Sequence, residues 1–151
     1  MIHARFILTL LAVTAALCLA PAVRSARAAE EPLMVLLSIN GKTLTAELND
    51  NSAARDFLTM LPLSLPLEDF NSTEKISDLP RRLDASQAPD SCDPSAGDIT
   101  WYAPWGNLAI FYRDFSLSRG LVPLGRITSE IAPIAGAKNG DVLTITRADA
   151  Q

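Results

Sequence analysis

The sequence predicts a mainly β domain, a closed or nearly closed antiparallel barrel with two short helices covering its ends. Three observations predict it. Apolar runs of strand length recur along the chain, and Gly, Pro and Asn turn signals separate them. Helical spacing shows in only two short stretches, and no strand–helix–strand alternation suggests a parallel sheet. The segment Gly97–Phe115 holds both tryptophans, both tyrosines and two of the five phenylalanines. Aromatic and β-branched residues suit a pleated, half-buried surface, so this segment reads as a strand pair.

The elements follow in order. Leu33–Ile39 is an apolar run, Asn40-Gly41 a turn, and Thr43–Leu48 a second run with Leu44, Ala46 and Leu48 on alternate positions. Asn-Gly between two such runs signals a β-hairpin, because both residues tolerate positive φ. Asp50, Asn51 and Ser52 are N-cap candidates for a helix carrying Ala53, Ala54, Phe57, Leu58 and Leu61 on one face, and Pro62 stops it. Leu63, Leu65 and Leu67 alternate as a strand with an edge or bulge at Pro66, ending at Phe70. Asn71–Gly97 reads as irregular, with Ile76, Leu79 and Leu83 as anchors and Arg81-Arg82 outside. Ile99–Tyr102 and Leu108–Arg113 read as strands joined by a Pro/Gly turn at Ala103–Asn107. Leu121–Ile127 is a strand carrying Gly125. A short helix follows from Ser129, confined by Pro133 and Gly136. Asn139-Gly140 makes a turn, and Val142–Arg147 closes the chain.

The first 28 residues read as a cleaved secretory signal, with residues 29–32 as a lead-in and residues 33–149 as the domain. Arg5 gives a positive start, Phe6–Ala20 is largely apolar, and Ala26-Arg27-Ala28 ends it with small residues. The apolar run is short for a membrane span. The expected protein is therefore exported, periplasmic or secreted, without stable membrane association. Without residues 1–28 the chain has 10 basic and 17 acidic residues, a net charge of −7. An acidic domain lacking a basic cluster is a poor partner for nucleic acid.

His3 and Cys18 fall in the signal, so the domain has no histidine and Cys92 alone. That excludes Ser-His-Asp and Cys-His mechanisms, imidazole ligation of zinc and an intrachain disulfide. Asp90, Asp93 and Asp98 do not follow the twelve-residue calcium-loop pattern. Nothing cationic adjoins Cys92 in sequence, which favours an ordinary thiol. Glu68 and Asp69, neighbours in a strand, point to opposite faces and do not pair as acid and base. No phosphate-binding loop or dinucleotide fingerprint is present. No metal or cofactor is expected.

Trp101, Tyr102, Trp105, Tyr112 and Arg113 are the candidate ligand-binding residues, with Phe111 beside them. The rings read either as core and rim of a barrel or as the lining of a groove. Alternation puts Leu108, Ile110 and Tyr112 on one face and Ala109, Phe111 and Arg113 on the other, so one of these faces looks outward or into a pocket. Arg113 is suited to a carboxylate or carbonyl, or to an ion pair with Asp114.

Three segments carry a resemblance. Ile39–Leu61 is similar to the opening hairpin and first helix of cyclophilins. Gly-Asp-Ile with Trp-Gly-Asn-Leu-Ala-Ile-Phe-Tyr, within Gly97–Tyr112, resembles the typical run of the small bacterial cyclophilin-like family. Val122–Ile134, with Leu124-Gly125-Arg126-Ile127, resembles the cyclophilin Phe-Gly-Lys-Val strand and second helix. The resemblance implies a cyclophilin-like barrel over residues 33–149. Prolyl isomerases of that fold use an arginine within a Phe-His-Arg-Ile type motif, which this chain lacks, so no catalytic residue carries over. The reading is a binding module for a peptide or small ligand. An arginine-based prolyl isomerase using Arg113 or Arg81 is the alternative. Accessory service to a flavodoxin-like redox system is a third reading, from association in related proteins.

Overall fold

A computed structural model describes residues 32–148, which fall within one compact unit. The proposed signal over residues 1–28, and the lead-in apart from Pro32, lie outside the described residues. The hairpin forms as the sequence requires. β1 (Leu33–Ile39) pairs with β2 (Lys42–Leu48) across Asn40 and Gly41, at φ 49° and 73°. Asn51 caps α1 (Ser52–Thr59), its Oδ1 accepting the Ala54 N–H at 2.9 Å while its Nδ2 donates to the Pro123 carbonyl. Ala53, Ala54 and Phe57 face the core.

The remaining elements are β3 (Leu63–Pro66), β4 (Glu68–Phe70), β5 (Glu74–Asp78), β6 (Ser91–Cys92), β7 (Asp98–Tyr102), β8 (Asn107–Phe111), β9 (Ser118–Arg119), β10 (Leu121–Ile127), α2 (Ala132–Ala135) and β11 (Val142–Arg147). Nine strands form one antiparallel sheet in the order β3-β11-β1-β2-β10-β7-β8-β5-β4, and β6 pairs with β9 apart from it. The two edges of the large sheet, β3 and β4, are successive pieces of chain separated by Leu67 alone. The first piece pairs with β11 and the second with β5, while Leu67 exchanges bonds with Asp141 and Gly140 at 2.9 and 2.8 Å. A single bent strand therefore brings both edges together, which makes the barrel nearly closed and leaves little unpaired edge.

The structure corrects the reading of Asn71–Gly97 as irregular. β5 lies inside that stretch, between β4 and β8 in the sheet. Its sequence, Glu-Lys-Ile-Ser-Asp, escapes a hydrophobic scan because polar residues face inward. Lys75 and Ser77 stand opposite Ile110 and Leu108 and are buried. Lys75, only 5% exposed, is satisfied by Asp69 Oδ1 and the Ala137 carbonyl, both at 2.7 Å from Nζ. Leu79 and Leu83 anchor the following loop in the core, and both Arg81 nitrogens bond Asp56 on α1 at 2.7 Å.

β8 also ends earlier than its sequence suggests, at Phe111. There the Phe111 carbonyl accepts from Gly97, and Tyr112 and Arg113 turn off the strand. The inner core joins Leu37, Leu44, Phe57, Trp101, Leu108, Ile110, Leu124 and Leu143. Ala109, Phe111 and Leu121 form a second cluster with partly buried Ile76, Tyr102 and Cys92. This division shows which faces of β7 and β8 are inner and outer.

Candidate functional site

Register carries that division across neighbouring strands. Trp101 pairs with Leu108 and Ile99 with Ile110, all facing the core. Thr100 pairs with Ala109 and Tyr102 with Asn107, on the opposite face. The Ala109–Phe111 face is thus the one turned away from the barrel interior. It floors a cleft of about 410 Å³, a volume in the range of ligand pockets.

Ile76, Ala109, Phe111 and Leu121 supply the apolar floor, and Phe70, Trp105 and Phe115 the walls. The Trp105 ring meets Phe70 at 5.6 Å and 83°, and Tyr102 at 5.3 Å and 81°. Edge-to-face contacts hold it in place although it is 61% exposed. Phe111 stacks on Phe115 at 6.0 Å.

The polar side chains lining this space are Asn71, Glu74, Asn107, Ser118 and Arg119, with Tyr102, and of these only Glu74 and Arg119 carry a carboxyl or guanidinium group. Asn107 is 3% exposed, with Nδ2 donating to the Leu108 carbonyl at 3.3 Å and Oδ1 buried without a partner. A buried acceptor left unpaired costs free energy and marks a place where a donor is missing. Glu74 stands in register between Phe70 and Phe111, and its side chain makes no ion pair or hydrogen bond among the described residues. Burial first, and the nearby Asp69 charge second, push its carboxyl up to about 7.

This shift has a stability consequence. The folded state holds the Glu74 proton more tightly than the unfolded chain, whose carboxyl titrates near 4.5. The Glu74 contribution to stability is therefore full below pH 4.5 and is lost as pH rises through 7. With solvent screening of this half-exposed group, Glu74→Gln is expected to gain about 1 kcal/mol over wild type at pH 8 and nothing at pH 4. Urea denaturation at the two pH values measures the difference, and an equal effect at both contradicts it.

The sequence candidates separate. Tyr102 and Trp105 line the cleft. Trp101 is 2% exposed in the inner core, with the Arg82 guanidinium 5.3 Å over its ring and its Nε1 unpartnered. Tyr112 turns away. Its hydroxyl donates to Asp69 Oδ1 at 2.7 Å, and Lys75 Nζ lies 5.2 Å over its ring. Burial and that bond to a carboxylate push its phenol up to about 12, while Lys75 and Tyr112 together hold Asp69 below the usual range. Arg113 is exposed and does not line the cleft, and Asp114 accepts from the Ala96 N–H. Arg81 is committed to Asp56. Phe70, Glu74, Asn107, Phe115 and Arg119 were missed by sequence reasoning. Without β5 there is no register to bring Phe70 and Glu74 to Phe111, and Arg119 reaches the site through the two-residue pairing of β9 with β6.

Cys92 is half-buried and free, its thiol pushed up to about 11 by burial and by Asp98 and Asp93. That leaves little thiolate. No cluster of three or more His, Cys, Asp or Glu capable of holding a metal occurs among the described residues.

Comparison with known proteins gives two findings. The model of a family described as the cyclophilin-like family matches residues 37–146. The chain is similar in structure to the hypothetical protein AF2241 from Archaeoglobus fulgidus, solved in solution. The two are 16% identical, the alignment covers 78% of this chain and 95% of that one, and the TM-score is 0.56. At that identity the likeness speaks to fold alone. No curated protein matches the chain.

Proposed function

This chain belongs to the cyclophilin-like family, and we propose that it is a binding module for a short peptide segment or small ligand held in the outer-face cleft. One observation carries the reading. An aromatic-walled space of about 410 Å³ is lined by Asn107, whose buried amide oxygen has no hydrogen-bond partner among the described residues. The exported setting rests on the sequence pattern of residues 1–28.

Two tryptophans make the test direct. Trp101 is sealed, so a ligand entering the cleft perturbs the emission of exposed Trp105. A thermal-shift screen of short peptides, flavins and small acids is expected to yield a compound that raises the Tm, by about 2.7 kcal/mol of stabilisation at a hundredfold excess over Kd. That compound shifts wild-type emission, and Trp105→Phe loses the shift while keeping the native Tm. A screen without hits, or a hit whose signal survives Trp105→Phe, removes the reading.

A second reading has one observation in its favour: Arg119, rather than Arg113 or Arg81, is the arginine at the cleft. A guanidinium there is suited to stabilise the carbonyl of a twisting prolyl amide. A wild-type isomerisation rate on an Xaa-Pro peptide that Arg119→Ala abolishes would replace binding alone with catalysis.

A further inference from the structure

The polar groups of the cleft occupy opposite ends of it. Glu74 pairs with Phe111 and Asp78 with Asn107, so Glu74 and Asn107 are four positions apart along β8, roughly 13 Å at the rise of a strand. Ile76 and Ala109 lie between them. Arg119 belongs to the Asn107 end. A Cβ on the adjacent Gly120 would fall 2.9 Å from Pro104 and 3.3 Å from the Tyr102 ring, so this segment abuts the turn before Asn107.

Each end lacks a specific chemical partner. At one end the buried Asn107 oxygen lacks a donor among the described residues, and Arg119, exposed to solvent, lines the same cleft. A peptide group offers an N–H to the first and a C=O to the second. At the other end a carboxyl without an ion-pair partner sits between aromatic rings. Lys75, its chain neighbour, points to the inner face and is committed to Asp69. An ammonium satisfies such a carboxyl and is attracted by the ring faces as well. The spacing corresponds to about four residues of extended chain.

We propose that the cleft takes an extended peptide segment bearing a lysine-like side chain, with its ammonium at Glu74 and a backbone amide at Asn107 and Arg119. This rests on the binding reading above and narrows it to basic peptides. The charged and titratable groups around Glu74 are Asp69 on β4, held by Lys75 and Tyr112, with Arg119 at the far end. Asp69 adds negative potential on the Glu74 side, and the Glu74 proton has to leave when an ammonium arrives.

The test uses acetylated, amidated tetra-alanine peptides with one position changed to lysine, norleucine or glutamate, each scanned through the four positions. At the best position the lysine peptide is expected to bind about tenfold tighter than norleucine at pH 8 and about twofold at pH 6. Glu74→Gln is expected to abolish that preference and its pH dependence while the Tm at pH 4 stays unchanged. Equal binding of lysine and norleucine peptides, tighter binding of glutamate, or binding that strengthens with acid overturns the proposal and leaves the binding module intact. A screen in which only non-peptide compounds bind also overturns it. A chain that binds nothing at all fails at the earlier step.

Discussion

Gly125→Ala is expected to cost about 3 kcal/mol or more, and to leave little folded protein at 37 °C. Gly125 stands in β10 opposite Leu48 of β2 on one side and Ile99 of β7 on the other, just past a shift of register at Pro123. A Cβ there would fall 2.3 Å from the Glu47 carbonyl oxygen and 2.8 Å from Leu48 Cα. Both obstacles are backbone, so no rotamer change relieves the overlap. The strands have to separate, and with them two neighbours in a nearly closed sheet. Gly136, whose added Cβ would meet a single carbonyl at 3.3 Å, is the control and is expected to lose far less as alanine. Urea midpoints for the two variants decide the matter, and equal values contradict the close approach.

Phe57→Ala is expected to lose about 3–5 kcal/mol, with a Tm lower by about 10–20 °C. Phe57 is the largest side chain that α1 places in the barrel core, 1% exposed, and its removal leaves a cavity lined by residues fixed in strands. Arg55 on the opposite side of the same helix pairs with Asp50, both side chains being exposed. Arg55→Ala is expected to change stability by less than about 0.5 kcal/mol. A similar loss for both variants, measured by calorimetry, would mean that α1 is not held by its buried face.

The candidate site was only partly legible. Tyr102 and Trp105 were visible because large rings beside a Pro-Trp-Gly turn are conspicuous, and both reach the cleft. Trp101 and Tyr112 carry the same chemical signal, yet one is sealed in the core and the other leans on Asp69. Composition cannot separate these four, since side-chain type does not report direction. Alternation placed Ala109 and Phe111 opposite Leu108 and Ile110, but which face was interior waited on the partners of β8. β5 is the clearest loss. Its inward lysine is acceptable only because Asp69 and Ala137, distant in sequence or on another element, receive the ammonium.

By itself the sequence determined the hairpin at Asn40-Gly41, the cap at Asn51, the limits of β10 and β11 and the β class. Each follows from neighbours a few residues apart, through positive φ, side-chain capping or period-two burial. Tertiary structure alone decided the closure through the bend at Leu67, the insertion of β5 and the meeting of Glu74, Asn107 and Arg119 on one face. Those depend on pairing between strands far apart along the chain, and a strand's own residues specify its two faces but not its partners.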